Sequence, residues 1–188
     1  NWTAQTRLTG DKGLITNAAN AETTKNYGFW DNMVGWHQGA SITPPYSQSN
    51  SYGWSFKRAT GFFDVVVETA TQSLVNPATE HNLGVVPEFM ISKSRDSTGG
   101  WFVYHSALGL TKYLELSSSN AYQTYNVFGT TLTSTQFQYY SAAIGESIVN
   151  YLFATVAGVS KVGSYTGTGS DLNVDCGFSA GARWVMIK

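Results

Sequence analysis

Residues 54–61, Trp54-Ser55-Phe56-Lys57-Arg58-Ala59-Thr60-Gly61, recur as Tyr151-Leu152-Phe153-Ala154-Thr155-Val156-Ala157-Gly158, an offset of 97 residues at both Phe and Gly. Two further segments recur in the same order. Phe89-Met90-Ile91-Ser92-Lys93 returns 95 residues later as Trp184-Val185-Met186-Ile187-Lys188, and Lys12-Gly13-Leu14 returns 100 residues later as Lys112-Tyr113-Leu114. Self-similarity at a nearly fixed period indicates an array of structural modules rather than a single compact enzyme fold.

The repeat predicts how the chain is divided. One contiguous unit covers residues 62–158, and residues 1–61 plus 159–188 are the split remnants of neighbouring units. The two remnants together hold nearly one more unit, so we expect them to complete a second sandwich or to pair with neighbouring units of a longer array. An unpaired strand edge invites pairing.

Composition narrows the class of protein. Charged residues make up 12% of the chain, aromatic residues 14%, and there are 19 glycines. Globular proteins usually have about 25% charged residues. The composition therefore predicts an all-β protein with a polar, uncharged surface. A net charge of −1 gives no electrostatic footprint for nucleic acid, and no apolar run is long enough to insert into a membrane. Cys176 has no second cysteine to pair with, and is expected to be a small core residue.

Strand signals are β-branched and aromatic runs bounded by Gly, Pro, Asn or Asp. These signals predict strands at residues 13–16, 52–57, 62–69, 88–94, 101–105, 112–116, 136–140, 148–155, 161–166 and 183–188. Only residues 18–24 are candidates for a short helical turn. Many short strands with turn residues between them predict a β-sandwich, jelly-roll or lectin-like, in tandem units of about 100 residues.

The recurring residues are apolar, aromatic or Gly, which predicts a repeated core. We expect Phe89, Ile91, Phe153 and Leu152 or Tyr151 to fill it, with Trp54, Phe56 and Trp184 in equivalent positions. Six other aromatic residues do not recur and are candidates for a loop-end surface or an interface, where Tyr and Trp are enriched. They are Trp30, Trp36, Tyr46, Trp101, Tyr122 and Tyr125.

No catalytic or metal-binding constellation is predicted. His37, His81 and His105 have no zinc spacing. We expect His81 to be solvated or to cap a turn, and His105 to end a strand. The carboxylates that can be aligned do not recur between copies, so no catalytic, cofactor-binding or metal residue is assigned. The acidic candidates considered are Asp64, Glu80, Glu88, Asp96, Glu115, Glu146, Asp171 and Asp175.

Three segments carry a resemblance to a known group of proteins. Gly61-Phe62-Phe63-Asp64-Val65-Val66, His81-Asn82-Leu83-Gly84-Val85-Val86-Pro87-Glu88-Phe89-Met90-Ile91-Ser92-Lys93 and Trp101-Phe102-Val103-Tyr104-His105 resemble repeats of marine tailed-phage virion proteins of uncharacterised function. The second copy departs at Ala182, which replaces Pro87, and Ser92 stands where such repeats often have an apolar residue. The resemblance implies lectin-like β-sandwich modules and a non-enzymatic role, with no catalytic residues to carry over.

The function expected from the repeat and the resemblance is that of a structural or adhesive phage protein. It would lie on the particle exterior, as a tail fibre, appendage or capsid decoration. Its partners would be copies of itself, other virion proteins and, as a candidate, host surface glycan, contacted through loops 41–51 and 139–147. Two alternatives remain open. One is a carbohydrate-binding module of a secreted bacterial protein, and the other is a polysaccharide depolymerase, which would need a cleft with converging carboxylates.

Overall fold

The computed structural model describes residues 2–24, 28–29, 37–38 and 53–188, and in these ranges every regular element is a β-strand. The protein is an all-β sandwich, as predicted. Fifteen strands follow in order: β1 (Thr3–Ala4), β2 (Lys12–Ile15), β3 (Thr23–Thr24), β4 (Gly28–Phe29), β5 (His37–Gln38), β6 (Phe63–Thr69), β7 (Leu74–Val75), β8 (Thr79–Glu80), β9 (Phe89–Ser94), β10 (Phe102–His105), β11 (Lys112–Glu115), β12 (Gln123–Thr124), β13 (Gln136–Phe137), β14 (Tyr140–Ser141) and β15 (Ser147–Phe153).

A six-stranded antiparallel sheet organises the contiguous part of the chain, with strand order β12-β11-β10-β9-β15-β6. The longest strands, β6 and β15, pair along seven residues from Ser147↔Thr69 to Phe153↔Phe63. The β15 strand also pairs with β9, from Ile148↔Ser94 to Phe153↔Phe89. Runs of Val and Ile favour this central position because branched side chains pack well on a pleated surface.

The two faces of the sheet carry two separate cores, because successive side chains of a strand point to opposite faces. On the first face, Val66, Met90, Tyr104, Ile148 and Leu152 are buried. They are covered by the short strand pairs β13-β8 and β14-β7 and by the chain between them, which add Leu83, Val127, Phe128, Phe137 and Tyr139 to the same cluster.

On the second face, the buried residues Val65, Ile91, Val103 and Val149 lie beside Phe63. The N-terminal sheet β1-β2-β3 covers this face through Leu14. Phe89 and Phe153 are half-buried here, and their ring centroids lie 5.7 Å apart. The predicted core residues Phe89, Ile91, Leu152 and Phe153 therefore pack as the repeat requires, with Leu152 on the first face and the others on the second.

The N-terminal sheet has the pairing pattern of β10-β11-β12. Lys12 pairs with Thr24, as Lys112 does with Thr124. Thr3 pairs with Ile15, as Phe102 does with Glu115. The turn that precedes the middle strand also matches: Gly10 and Gly109 both have positive φ, 61° and 74°. The two three-stranded meanders thus share strand order, register and turn.

The turn that follows the contiguous unit is also repeated. Ala59 forms an isolated antiparallel bridge to Phe63, and Val156 forms one to Ser160, an offset of 97 residues. Gly61 and Gly158 lie inside these turns with φ of 79° and 73°. The left-handed region is one that Gly adopts without steric cost. These correspondences support the predicted repeat, while the division into one contiguous and one split unit stays a prediction.

Several strand predictions are wrong. Residues 53–57, 161–166 and 183–188 form no strand, and most of these residues are exposed. Residues 18–24 form a turn and β3 rather than a helical turn. Trp54, Phe56 and Trp184, expected in a core, keep more than a third of their surface exposed. Strand propensity depends strongly on packing context, so it does not by itself make a segment a strand.

Candidate functional site

The richest polar cluster surrounds Glu146, in the tight turn that leads into β15. Gly145, with a φ of 84°, makes this turn possible. One carboxylate oxygen, Oε1, accepts hydrogen bonds from the hydroxyls of Ser94, at 2.6 Å, and Ser97. The other, Oε2, accepts from the Ser141 hydroxyl at 2.6 Å and from the Ala142 N–H at 2.9 Å. Glu146 thereby connects the β9–β10 hairpin to the turn after β14.

The hydrogen-bond donors around Glu146 keep its carboxyl group ionised. Burial raises the pKa of this carboxyl group, but hydrogen bonds from Ser141, Ser94, Ser97 and the Ala142 N–H outweigh burial and lower the pKa to about 2. A carboxylate that accepts several hydrogen bonds favours its ionised form. Glu146 is therefore an anion at neutral pH, with its oxygens already occupied by donors from the protein.

Lys93 lies next to this cluster and is buried. Its Nζ donates to the carbonyl oxygens of Ser94, at 2.7 Å, and Ser97, at 3.2 Å. Burial lowers the pKa of Lys93 to about 8, while the charge of Glu146 acts in the opposite direction. Lys93 thus neutralises part of the buried negative charge and holds the hairpin backbone.

The space above Glu146 is small. A half-open cavity of about 70 Å³ is lined by Phe102, Tyr140, Ile148 and the glycines Gly99 and Gly100. Ligand pockets usually have volumes of roughly 300–1,000 Å³. The cavity has room for a few water molecules and none for a sugar ring. Glu146 is therefore an anchor of the fold rather than a substrate-facing acid.

Asp64 is the other buried carboxylate with several donors. Its Oδ1 accepts from the Val65 N–H at 2.9 Å and from Arg58 Nε, and its Oδ2 accepts from the Asn82 N–H at 2.7 Å. The Arg58 side chain is nearly half exposed, whereas Asp64 is buried. The carboxylate joins the start of β6 to the turn after His81.

The two described histidine side chains have the same pattern of partners. His81 Nδ1 accepts from the Leu83 N–H at 3.1 Å, and Nε2 donates to the Thr133 carbonyl at 3.1 Å. His105 Nδ1 accepts from the Ala107 N–H, and Nε2 donates to the Gly163 carbonyl at 3.0 Å. His81 caps a turn, one of its two predicted roles, but it is buried rather than solvated, and burial lowers its pKa. His105 ends β10, as predicted, and its ring also caps the turn that follows.

The other acidic candidates from the sequence are distributed over different turns and strands. Glu88 accepts from the Thr155 N–H at 2.7 Å, Asp96 from the Ser147 N–H at 2.7 Å and Asp175 from the Gly177 N–H at 2.7 Å. Glu115 accepts from Ser117, while Glu80 and Asp171 lie on the surface. Within residues 2–24 and 53–188, no three His, Cys, Asp or Glu side chains come together as a metal-binding group.

Trp101 is placed differently from the prediction. It is buried, with 1% of its surface exposed, and its Nε1 donates to the carbonyl oxygens of Ile15 and Ala18, both at 3.1 Å. An indole N–H needs such a partner when it is buried. Trp101 therefore joins the contiguous unit to the N-terminal meander, and is not a free loop-end residue. Trp30, Trp36 and Tyr46 lie outside the described residues.

Tyr122 and Tyr125 are on the surface, as predicted, with 49% and 50% exposed. Tyr125 continues a row of aromatic rings in which neighbouring centroids are 5.3–6.4 Å apart. We call Tyr113, Phe102, Tyr140 and Tyr125, in that order, the aromatic row. Lys112 lies over the ring of Tyr122, with its Nζ 4.4 Å from the centroid.

The loops expected to make variable contacts are residues 41–51 and 139–147. Residues 41–51 lie outside the described residues. In 139–147, Tyr139, Ser141 and Glu146 are buried and only the tip, with Ile144, is fully exposed. The loop is largely part of the fold, because Glu146 and Ser141 hold it from within. Cys176, predicted as a core residue, is half-buried in an otherwise exposed stretch.

The exposed stretch is residues 159–188, which form no strand. We call this stretch the C-terminal segment. It carries large apolar side chains on the surface, among them Val159, Leu172, Val174, Val185 and Ile187. It contacts the rest of the chain where Trp184 packs on Phe56, with ring centroids 5.4 Å apart. Contiguous exposed apolar surface usually marks an interaction site.

The serines around Glu146 were missed by sequence reasoning, since isolated serines in turns carry no distinctive spacing. The one available signal is Lys93, a charged residue inside an otherwise apolar and neutral strand. A buried cation requires a nearby acceptor or anion, but the sequence does not say which of the carboxylates is near.

The described part of the chain holds no helix long and apolar enough to cross a membrane.

No curated protein and no solved structure matches the chain. A sequence family described as a domain of unknown function, DUF7483, matches residues 7–188, which is nearly the whole chain. The chain belongs to this DUF7483 family.

Proposed function

We propose that the chain is a non-catalytic structural or adhesive component on the exterior of a phage particle. The observation that carries the structural part is the repeated meander: β1-β2-β3 and β10-β11-β12 share order and register. Repeated modules that stack on one another are typical of extended assemblies. The phage location is supported by the sequence resemblance of residues 61–66, 81–93 and 101–105.

The placement of the carboxylates supports a role without catalysis. Asp64, Glu88, Asp96 and Glu146 each accept a hydrogen bond from a backbone N–H. A general acid needs a raised pKa and access to substrate. Glu146 has a pKa of about 2 and lies beneath a cavity too small for a sugar. The fold uses these four groups as anchors, which supports a role without catalysis.

Labelling of virus particles tests the location. Antibodies raised against the purified chain and carrying gold should label particles propagated on the natural host at regular positions on tail or capsid. The control is the same antibody absorbed with purified chain. Absence of the chain from purified particles, by both labelling and mass spectrometry, would overturn the proposal.

A second candidate is a carbohydrate-binding module, and two exposed rings favour it: Tyr122, and Tyr125 at the end of the aromatic row. Flat aromatic faces at a surface suit stacking against sugar rings. The test is binding of host surface polysaccharide by the chain, measured by calorimetry. Tyr122→Ala and Tyr125→Ala should each weaken binding at least about tenfold, since a contact of 1.4 kcal/mol corresponds to a factor of ten.

The matched control is Tyr165→Ala, because Tyr165 is equally exposed at 51% but lies in the C-terminal segment. Equal binding by all three variants would remove the carbohydrate proposal. Release of oligosaccharides that stops in an Asp or Glu variant would instead show an enzyme and overturn the non-catalytic proposal.

A further inference from the structure

The outer edge of β1 pairs with no other strand among the described residues, because β1 ends the three-stranded sheet β1-β2-β3. The equivalent strand β10 has strands on both sides: it pairs with β11 on one edge and with β9 on the other. Among the described residues, the N-terminal meander thus has no strand that corresponds to β9. An open edge of this kind accepts a further strand.

The missing strand has a counterpart in the sequence. Residues 184–188, Trp184-Val185-Met186-Ile187-Lys188, repeat the β9 sequence Phe89-Met90-Ile91-Ser92-Lys93 after 95 residues. In β9 this sequence lies at the centre of the six-stranded sheet, between β10 and β15. In the C-terminal segment it lies on the surface and pairs with nothing described.

We propose that residues 184–188 pair antiparallel with the outer edge of β1 in the same chain, in the register Thr3↔Ile187 and Ala4↔Met186. The register follows from two observed pairings. Thr3 and Ala4 correspond to Phe102 and Val103, which pair with Ser92 and Ile91 in the complete sheet. Ser92 and Ile91 correspond in turn to Ile187 and Met186.

Burial provides the driving force. Val185 and Ile187 are 64% and 67% exposed, whereas their counterparts Met90 and Ser92 are 2% and 1% exposed. Removing apolar surface from water is favourable by roughly 25 cal/mol per Å². Pairing would also satisfy backbone N–H and C=O groups of residues 184–188 and of the outer edge of β1, which pair with no strand among the described residues.

The same chain, rather than a second copy, is the partner because both ends of residues 184–188 already contact their own chain. Trp184 packs on Phe56 of its own chain, with centroids 5.4 Å apart, and these residues correspond to Phe89 and Phe153, which are 5.7 Å apart in the complete sheet. Phe56 is itself 5.7 Å from Phe153. At the other end of the segment, Lys188 Nζ donates to the Ser118 carbonyl of the same chain.

The inference does not depend on the phage assignment, since it concerns pairing within one chain in solution. Its test uses disulfide formation in a Cys176→Ser background, which removes the single native thiol. Directly opposite residues of an antiparallel pair are close enough to form a disulfide, whereas diagonal pairs about 7–8 Å apart are too far. Thr3→Cys with Ile187→Cys should therefore oxidise to a monomeric disulfide several-fold faster than the diagonal control, Thr3→Cys with Val185→Cys.

Two results would overturn the proposal. Equal oxidation of the two pairs would show that the register is wrong. The single variants Thr3→Cys and Ile187→Cys can also be mixed. Disulfide-linked dimers from this mixture that exceed the monomeric product of the double variant would show that a second copy supplies the strand.

Amide exchange of the unmodified chain gives an independent check: exchange at Val185 and Ile187 should be at least about tenfold slower than at the exposed Leu172 and Val174. Equally fast exchange at all four positions would show that residues 184–188 stay unpaired.

Discussion

Trp2 and Trp101 occupy equivalent positions in the two meanders, but only Trp101 is buried. The carbonyl of Trp2 accepts from the Thr16 N–H at 3.0 Å, and that of Trp101 accepts from the Leu116 N–H at 2.9 Å. Trp2 is 60% exposed and Trp101 is 1% exposed. The difference arises because Trp101 has a meander to pack on, and the Trp2 side chain lies in solvent. This pair provides a matched experiment on the contact between the two meanders.

Replacing Trp101 by Phe should lower the free energy of unfolding by about 1–3 kcal/mol. The substitution leaves the carbonyls of Ile15 and Ala18 without their indole donor, and an unsatisfied buried acceptor has about this cost. The measurement is urea unfolding followed by circular dichroism. Trp2→Phe is the control and should change the unfolding free energy by less than about 0.5 kcal/mol. Equal effects of the two substitutions would contradict the assignment of Trp101 as the link between the meanders.

Glu146 should make the protein sensitive to acid. Its pKa is lowered in the folded chain from 4.5 to about 2. A lowered folded pKa contributes stability that is fully present above pH 4.5 and is lost as the pH falls from 4.5 toward 2. Glu146→Gln should be less stable at pH 7 and should show a flatter stability profile between pH 4.5 and 2. Glu80→Gln, at an exposed position, is the control and should keep the profile of the unmodified chain.

Removing the Asp64 side chain should lower the free energy of unfolding far more than removing that of its ion-pair partner, Arg58. Asp64→Ala removes the acceptor for the Val65 and Asn82 N–H groups and should cost about 3 kcal/mol. Arg58→Ala should cost less than about 1 kcal/mol, since the Arg58 side chain is nearly half exposed and solvent screens the pair. Thermal and denaturant unfolding of both variants distinguish these values. A larger loss for Arg58→Ala would mean that the ion pair itself stabilises the turn.

Substitutions at Ser92 and Asn150 should have strongly non-additive effects on the free energy of unfolding. The Ser92 hydroxyl donates to Asn150 Oδ1 in the middle of the sheet, and Asn150 Nδ2 has no partner in the described structure. Ser92→Ala alone should cost about 1–2 kcal/mol, because it leaves the whole buried amide without partners. The double variant Ser92→Ala with Asn150→Val should be close to the unmodified chain in stability, since both polar groups are gone. Additive losses in the double-mutant cycle would refute this coupling.

The sequence predicted the central sheet well because its strands have strong local signals. Val65, Val66 and Val67 form a β-branched run in β6, and Gly99-Gly100 follow the turn before β10. The repeat predicted residues such as Phe89 and Phe153 that pack on one another. These features depend on alternation and turn chemistry, which are local properties.

The mispredicted residues depend on contacts that are distant in sequence. Trp101 is buried in a cluster with Leu14, and its indole N–H donates to the carbonyl of Ile15, 86 residues earlier. The Glu146 cluster brings together Ser94, Ser97 and Ser141, which have no shared spacing. Residues 161–166 and 183–188 have strand propensity but pair with no described strand, so propensity alone overstated their structure.

The position of β15 determines the order in which the sheet can assemble. The β6 and β9 strands run parallel, because both are antiparallel to β15, which lies between them. During synthesis, β6 and β9 therefore leave the ribosome with facing edges and no strand to join them until residues 147–153 emerge. Long-range pairing of this kind slows folding and prolongs the exposure of unpaired edges. If the chain is part of an array of such units, the last strand of one unit could insert into the open gap of its neighbour, and we expect longer spacing between units to make this misfolding rarer.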